Sequence, residues 1–307
     1  MCEVKVSVII PTYKRSEDLC RAVDSVLNQT IDSFEVIVVD DNGIGTEHGK
    51  KTEYTMQRYA GDSRVVYVQH EFNKNGSAAR NTGIKAAHGK YLSFLDDDDA
   101  YLPKRLQMMY EKMEQLDDSW GACYTGYVKH LMDGTDQYSA EKVEGDIFLQ
   151  AIMRSFYLGS GSNMFFRKKT IDHIGLFDES FKRNQDLEYL VRVTKEYKMA
   201  FVDEVLMECF YDVRTVTMSL AESKTRETNF REKFSPFLEG LSKKEKKEVI
   251  SMWDIDWLRL LISRKIYGLA LKEFVTRRIP IKALIGYIFY IFDRKKNHSC
   301  YGYVVKL

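Results

Sequence analysis

Two hydrophobic rhythms alternate along the first 116 residues. Short unbroken apolar runs rich in β-branched residues predict buried strands, and stretches with apolar residues every three or four positions predict helices. Residues 4–10 (VKVSVII) form the first run, which Pro11 and Thr12 are expected to end in a turn and cap. Residues 17–28 come next, with Leu19, Val23, Val26 and Leu27 at helical spacing. Residues 34–42 (FEVIVVDDN) are a second strand ending in two carboxylates, 46–60 read as helix, and 64–70 are a third strand. A glycine-rich turn leads into a helix over 75–89, stopped by Gly89. A fourth strand, KYLSFL, runs into Asp96–Asp99, and 102–116 is helical.

This order predicts an α/β fold with a mostly parallel central sheet flanked by helices. Right-handed crossovers place all strand C-termini on one edge, where such sheets bind ligands. Pro11–Arg15, Asp40–Asp41 and Asp96–Asp99 would therefore share one cleft. Beyond residue 120 the alternation weakens. Strands are expected over 120–131 and 198–212, and an amphipathic helix over 186–197. Residues 157–181 hold a glycine/serine loop, a short strand, a short helix and a turn. Residues 221–250 are charged and helical in pattern, and 254–292 alternate apolar stretches with basic clusters.

The length, 307 residues, suits one large domain or two modest ones. An aromatic content of 13% argues against disorder. Five scattered cysteines without a C-x-x-C pair argue against a zinc site or disulfide framework, and reduced cytosolic thiols are expected. The N-terminus lacks the pattern of a signal peptide, and no apolar run reaches the roughly 18 residues needed to span a bilayer. The net charge of +1 conceals an asymmetry: residues 221–307 carry 19 Lys/Arg against 10 Asp/Glu, and the rest is acidic. An anionic surface is the expected partner of the C-terminal part.

Most acidic runs are solvated loops. Asp96–Asp99 instead comes directly after a buried-strand pattern, and adjacent carboxylates in a cleft repel one another unless a cation is present. Magnesium or manganese commonly uses one or two carboxylates plus substrate phosphates, so the run points to a metal–diphosphate site. Asp40–Asp41 reads equally as capping of its own loop or as an acceptor for a base or ribose. Tyr13 can stack on a base and Lys14 or Arg15 reach phosphate, although such residues at a strand end are often packing and surface. Residues 75–81 open a helix, whose N-terminus favours anions. They match neither G-x-G-x-x-G nor a P-loop, so kinase and NAD-dehydrogenase readings lose their support, while Arg80 and Asn81 fall near the cleft. Asp186, at the start of its helix, is either an N-terminal cap or first-turn acid, or a general base; Glu188 faces another side, and Arg192 reads as structural. Neither paired histidine spacing nor a nucleophile elbow occurs.

In this order the pieces VSVIIPTYKR, VIVVDDN, NGSAARNTGIKAAHGKYLSFLDDDD, GSNMFFRKKTIDHIGLFDESF and NQDLEYLVR resemble the family 2 glycosyltransferases, over residues 4 to about 215. The resemblance implies a GT-A fold, Rossmann-like, with a C-terminal helical extension. It divides the chain into a glycosyltransferase domain over 1–215, with a nucleotide-binding half (1–100) and an acceptor/catalytic half (101–215), and a helical basic region over 216–307. It implies that Pro11, Thr12, Tyr13 and Arg15 flank uracil and phosphate, that Asp41 binds uracil with Asp40 in support, and that Arg80 lies near the nucleotide. Asp96, Asp97 and Asp98 fill the D-x-D region, Asp98 being the direct metal ligand, and Asp186 is the base. Gln185 departs from the commoner pattern, in which Glu precedes the catalytic acid.

The implied reaction is inverting transfer from a UDP-sugar to a hydroxyl of a lipid-linked oligosaccharide, assisted by Mn2+ or Mg2+. The competing readings are a sugar nucleotidyltransferase, which lacks its early glycine-rich signature here, and a non-catalytic sugar-nucleotide-binding protein on the membrane. In residues 274–297 an apolar core, 283–292, lies between basic clusters. This stretch is read either as a buried helix or as an interfacial segment. The family context favours the second, hence peripheral attachment to the cytoplasmic face of the membrane. No nucleic-acid partner is implied.

Overall fold

A computed structural model describes residues 3–210 and 218–307. Cys2, the last two residues of the strand expected over 198–212, and the expected boundary after 215 lie outside the described residues. The chain forms two units, one of residues 1–146 with 158–212 and one of 147–157 with 213–307.

The first unit has the expected alternation. Its elements are β1 (Val6–Thr12), α1 (Leu19–Leu27), β2 (Phe34–Asp40), α2 (Glu47–Met56), β3 (Val65–Gln69), α3 (Gly76–Ala86), β4 (Tyr91–Phe94), β5 (Ala100–Tyr101), α4 (Arg105–Glu114), β6 (Trp120–His130) and β7 (Asp136–Ser139). In the second unit lies α5 (Phe148–Ile152). The chain then returns to the first with β8 (Phe165–Arg167), α6 (Lys168–Ile174), α7 (Gln185–Thr194) and β9 (Lys198–Phe210).

β1 pairs in parallel with β2 on one side and β4 on the other, and β3 extends the sheet beyond β2. The chain reverses direction across the sheet between β1 and β4, the kind of switch point that opens a crevice at the strand C-termini. Every residue of β2 and β4 is buried, because helices cover both sheet faces. The later strands mix senses: β8 runs antiparallel to β4 and β6, and β6 parallel to β9. Short β5 and β7, which no sequence periodicity marks, pair antiparallel with β9 and β6.

Pro11 does not end its strand. β1 continues through it, with Pro11 opposite Val39 and Thr12 opposite Asp40. The Ile9 carbonyl accepts from Leu95 on the β4 side, so two residues later the missing N–H of Pro11 faces that side beyond the end of β4. No ladder bond is lost there.

The second unit adds α8 (Leu220–Phe234), α9 (Lys243–Ser263), α10 (Tyr267–Thr276) and α11 (Ile281–Lys296) to α5. Ser219 with Glu222, and Ser242 with Glu245, form capping boxes that start α8 and α9. Phe230, Phe234 and Trp253 pack together, and the Trp253 indole donates to the Ile152 carbonyl at 2.6 Å. Arg277 bridges Asp254 at 2.7 Å and Glu227 at 3.1 Å. The inward side of α11 rests on tyrosines: Tyr287 and Tyr290 pack against Tyr303.

The other side of α11 is uncovered within its unit. Ile281, Ile285, Ile288, Phe289 and Phe292 are exposed, Phe289 at 70% and Phe292 at 67%. Tyr267, Leu271 and Val275 of α10 are exposed as well. No described helix is long and apolar enough to cross a membrane. Cys20, Cys123, Cys209 and Cys300 form no disulfide with one another.

Candidate active site

The C-terminal ends of β1, β2 and β4 bring three polar segments together. After β1 the chain turns through Lys14, whose φ is +60° and whose amide donates to the Asn42 side chain at 2.7 Å. The turn leaves Tyr13 exposed and directs Arg15 at the acidic run, where it contacts Asp97 and Asp98. The Thr12 hydroxyl donates to Asp97 at 2.7 Å, and the Tyr13 amide donates to the same oxygen at 3.3 Å.

The four acids after β4 serve different partners. Asp96 pairs with Arg80, and Asp98 with Arg15. Asp97 is buried against Thr12, and Asp99 is buried against the Ser160 and Ser162 hydroxyls at 2.7 and 2.6 Å. Burial pushes the Asp97 carboxyl up to about 7, with the charge of Asp98 adding to it. Asp99 is likewise pushed up to about 7 by burial, then by Asp96 and Asp98. Asp98 rises through burial and the charge of Asp96, with Arg15 opposing.

Asp40 and Asp41 at the end of β2 are wholly occupied by their own surroundings. Asp40 accepts from the Asn42 amide at 2.8 Å, its side chain at 2.6 Å and the Tyr67 hydroxyl at 2.7 Å. Asp41 accepts from the amides of Lys74 and Asn75 at 2.8 and 2.9 Å and from the Asn73 side chain at 2.7 Å, and it pairs with His70 at 2.7 Å. A carboxylate has about four lone-pair positions, and those of Asp41 are all engaged. The geometry therefore turns Asp41 toward the loop before α3, whereas the resemblance places a base contact on it.

That loop sets up α3. Asn75, at φ +99°, accepts from the amides of Ser77 and Ala78 and caps the helix. Arg80 lies one turn later, buried, and its Nε has no partner. Asn81, expected near the nucleotide, faces elsewhere. Its amide donates to the Phe177 carbonyl and to Glu179, and accepts from the Phe177 amide.

Asp186 sits in the first turn of α7. The cap position is Asn184, whose side chain makes no capping hydrogen bond, so Asp186 is a first-turn acid rather than the cap itself. Burial raises the Asp186 carboxyl above its usual range, Arg80 opposes the shift and Asp96 adds to it. Glu188 is fully buried and bound by Arg192 at 2.7 Å; Arg192 also donates to the carbonyls of Ile174 and Leu176. Those bonds tie α7 to the segment before it, in line with the structural reading of Arg192.

Sequence reasoning missed the turn Ser160–Asn163, visible only as a glycine/serine loop. Ser162 accepts from the Asp96 amide at 2.9 Å while donating to Asp99, so it holds both ends of the acidic run. A β-carbon on Gly161 would lie 3.6 Å from Asp186 Cβ, 3.7 Å from an Arg80 Nη and 3.9 Å from Asp96 Oδ2. Gly161 is thus the wall shared by the base candidate, the arginine and the first acid. Arg105 is fully buried beneath it and donates to Thr125, the Ser162 carbonyl and Asn163. Asn163 in turn donates to the carbonyls of Thr125 and Leu158. Apart from the glycine/serine run, no sequence signal marks Arg105 as the support of a loop 57 residues away.

Among the described residues, no group of three or more His, Cys, Asp or Glu side chains is arranged to hold a metal ion. Asp96 and Asp98 nevertheless fit the smaller demand of magnesium or manganese, which takes one or two carboxylates and completes its shell with phosphate and water. Each already faces a cationic guanidinium.

Comparison with known proteins gives a consistent result. The family profile described as Glycosyl transferase family 2 matches residues 7–175. An uncharacterized glycosyltransferase of Rickettsia prowazekii is 30% identical over 249 residues, covering 78% of this chain and 73% of its own. The putative colanic acid biosynthesis glycosyl transferase WcaA of Escherichia coli is 27% identical over 207 residues, covering 62% and 67%. Among solved structures, S. aureus TarS 1-349 matches with a TM-score of 0.66 at 18% identity, over 96% of this chain and 88% of that one. Its complex with UDP-GlcNAc matches at 0.65 and 19%, over 85% and 73%. These likenesses bear out the GT-A-like fold.

Proposed function

The chain belongs to glycosyl transferase family 2, and from that premise we propose that it moves a sugar from a UDP-sugar to a hydroxyl of an oligosaccharide acceptor, with Asp186 as general base. The observation that carries the reading is the meeting of Asp186, Arg80 and Asp96 around Gly161. A base, a cation and an acidic ligand there face one small space. The UDP-GlcNAc complex of the structural relative supports the choice of donor.

The acceptor hydroxyl gives its proton to Asp186, and its oxygen bonds to the anomeric carbon. The bond from that carbon to the diphosphate oxygen breaks, and the electron pair leaves with UDP. Displacement from the opposite face inverts the anomeric centre, through an oxocarbenium-like transition state. Burial around Asp186 raises its proton affinity, which suits a base working near neutral pH. Arg15 and Arg80 would bind the diphosphate, and Tyr13 would stack on the base. A divalent metal on Asp98, with Asp96 and Asp97 beside it, would supply positive charge to the departing diphosphate.

The acceptor is a lipid-linked oligosaccharide of a surface polysaccharide. Two features support this: the name of the Escherichia coli relative and the exposed apolar side of α10 and α11. That side is flanked by exposed Arg278, Lys282, Lys295 and Lys296, the composition of an interfacial helix on anionic lipid. It would hold the enzyme on the cytoplasmic face of the membrane.

Calorimetric titration of UDP with and without manganese, on wild type and Asp98→Ala, tests the donor site. Metal-dependent binding lost in the variant supports it, and no UDP binding under any metal condition overturns it. UDP binding without turnover of any UDP-sugar would instead favour the non-catalytic reading. Co-sedimentation with anionic vesicles should fall at least about tenfold in F289E/F292E, since each buried aromatic is worth roughly 1.5–3 kcal/mol; unchanged sedimentation removes the membrane contact.

A further inference from the structure

Ser162 is fully buried, and each of its polar atoms is engaged. Its hydroxyl accepts from the Asp96 amide at 2.9 Å, so its single proton goes to Asp99, at 2.6 Å. Its carbonyl is held from the core: Arg105 donates to it at 3.3 Å. The Tyr101 hydroxyl lies 3.0 Å from the same carbonyl and 2.5 Å from that of Phe94, the last residue of β4. The turn is thereby tied both to the end of β4 and to the backbone of the first acid in the run.

Arg105 is the unusual member of this group. It is fully buried, yet its guanidinium donates to uncharged partners: the Thr125 hydroxyl, the Ser162 carbonyl and the Asn163 side chain. Burying a charge is costly, and an apolar side chain of similar volume is often as stable in such a place. Stability alone is therefore a weak reason for a guanidinium here. What its rigid fork supplies is direction, because it grips two consecutive residues of the turn.

A second serine has the same bonding pattern at the other edge of the sheet. Ser7, also fully buried, donates to Glu35 at 2.6 Å and accepts from the Gly89 amide at 2.8 Å. It stands near the start of β1, at the edge opposite the cleft. Ser162 instead adjoins Gly161, where a β-carbon would lie 3.6 Å from Asp186 Cβ and 3.9 Å from Asp96 Oδ2.

We propose that Ser162 is a positioning residue for the transfer: held by Arg105 and Tyr101, it sets where Asp96 and the Gly161 wall stand against Asp186. The inference rests on the reading of Asp186 as the base of a UDP-sugar transferase. In that reading, a shift of the turn moves the diphosphate side of the cleft relative to the base. Misplacement by about 1 Å can cost on the order of 10²-fold in rate. Asp99 is then the anchor of Ser162.

The test uses the full chain. UDP is titrated with and without manganese into wild type, Ser162→Ala, Ser162→Thr, Tyr101→Phe and Ser7→Ala, and the urea unfolding midpoint of each is measured. Turnover is followed as UDP release from UDP-glucose, UDP-galactose, UDP-N-acetylglucosamine and UDP-glucuronate, with p-nitrophenyl glycosides as acceptors. Ser162→Ala and Ser7→Ala should lower the midpoint by similar amounts, since each loses one bond to a carboxylate and one to an amide. Only Ser162→Ala should also lower kcat and the UDP affinity in manganese, each by roughly 10–100-fold, the usual scale for a residue behind a ligand. Ser162→Thr keeps the hydroxyl and should recover most of both losses. Tyr101→Phe keeps the core shape and should show the same two losses at a few-fold, so the test stands even where Ser162→Ala does not fold. UDP affinity and kcat of Ser162→Ala equal to those of Ser7→Ala overturn the inference; where Ser162→Ala does not fold, the same equality in Tyr101→Phe does so. Wild type that binds no UDP under any metal condition overturns the transferase reading itself and the inference with it, a failure distinct from the first.

Discussion

The molecule has two acidic clusters at strand ends, and they have opposite fates. Asp40–Asp41 after β2 is satisfied by partners of its own neighbourhood: backbone amides, two asparagine side chains, a tyrosine hydroxyl and the His70 ring. Asp96–Asp99 after β4 has Arg80 against Asp96 and Arg15 against Asp97 and Asp98, while burial and mutual repulsion raise Asp97 and Asp99. The first cluster builds a loop, and the second is left wanting positive charge. The difference lies in the donors that reach each strand end. Residues 73–75 supply N–H donors to Asp41, whereas the hydroxyl turn at Ser160–Ser162 serves the back of the second cluster, at Asp99.

This contrast predicts that substitutions in the second cluster's cleft act on function and those in the first act on stability. The largest expected effect is on turnover: Asp186→Asn should lower kcat by about 10²–10⁴ with the melting temperature nearly unchanged. A rate within a few-fold of wild type would remove Asp186 as the base. Next, Asp41→Ala strands several buried donors and should cost on the order of 3 kcal/mol in chemical denaturation. A loss of UDP affinity without loss of stability would instead restore a direct base contact.

A pH effect should arise from the second cluster. Asp97 and Asp99 carry folded-state values of about 7, above the 3.8 of an unperturbed Asp. The folded state therefore binds more protons than the unfolded state between those values. The contribution is fully present below about pH 4 and is lost as pH rises toward 7, opposite in sign to an ordinary paired carboxylate. The melting temperature of metal-free protein should fall across that window, and Asp99→Asn should flatten the fall. A melting temperature rising through the window by the same amount in both proteins would show that these acids are ionised and satisfied. The smallest effect concerns the loop built on Asp41: Asn75→Ala removes the α3 cap and should cost about 1 kcal/mol.

Much of this architecture is legible in the chain. The unbroken runs of β1, β2 and β4 can only be buried strands, and their alternation with helices dictates a parallel sheet with one functional edge. The position of Asp186 at the start of α7 is set by local pattern as well. Pro11 misleads, because whether a missing N–H matters depends on which neighbour strand extends past it. Asn81 misleads because its direction is set by Phe177 and Glu179, nearly 100 residues away. The short strands β5 and β7 carry no periodicity, and only their partners make them strands.

Local sequence determined the strands, the helices, their caps and the placement of acids at strand ends, because these depend on side-chain period and backbone chemistry within a few residues. Tertiary structure alone decided which acids are neutralised, which face a guanidinium and which hold a loop. It also made Gly161 a wall, Arg105 a buried support and one side of α11 an open apolar surface. Charge and burial depend on donors and neighbours brought in from distant parts of the chain, and no local pattern encodes that proximity.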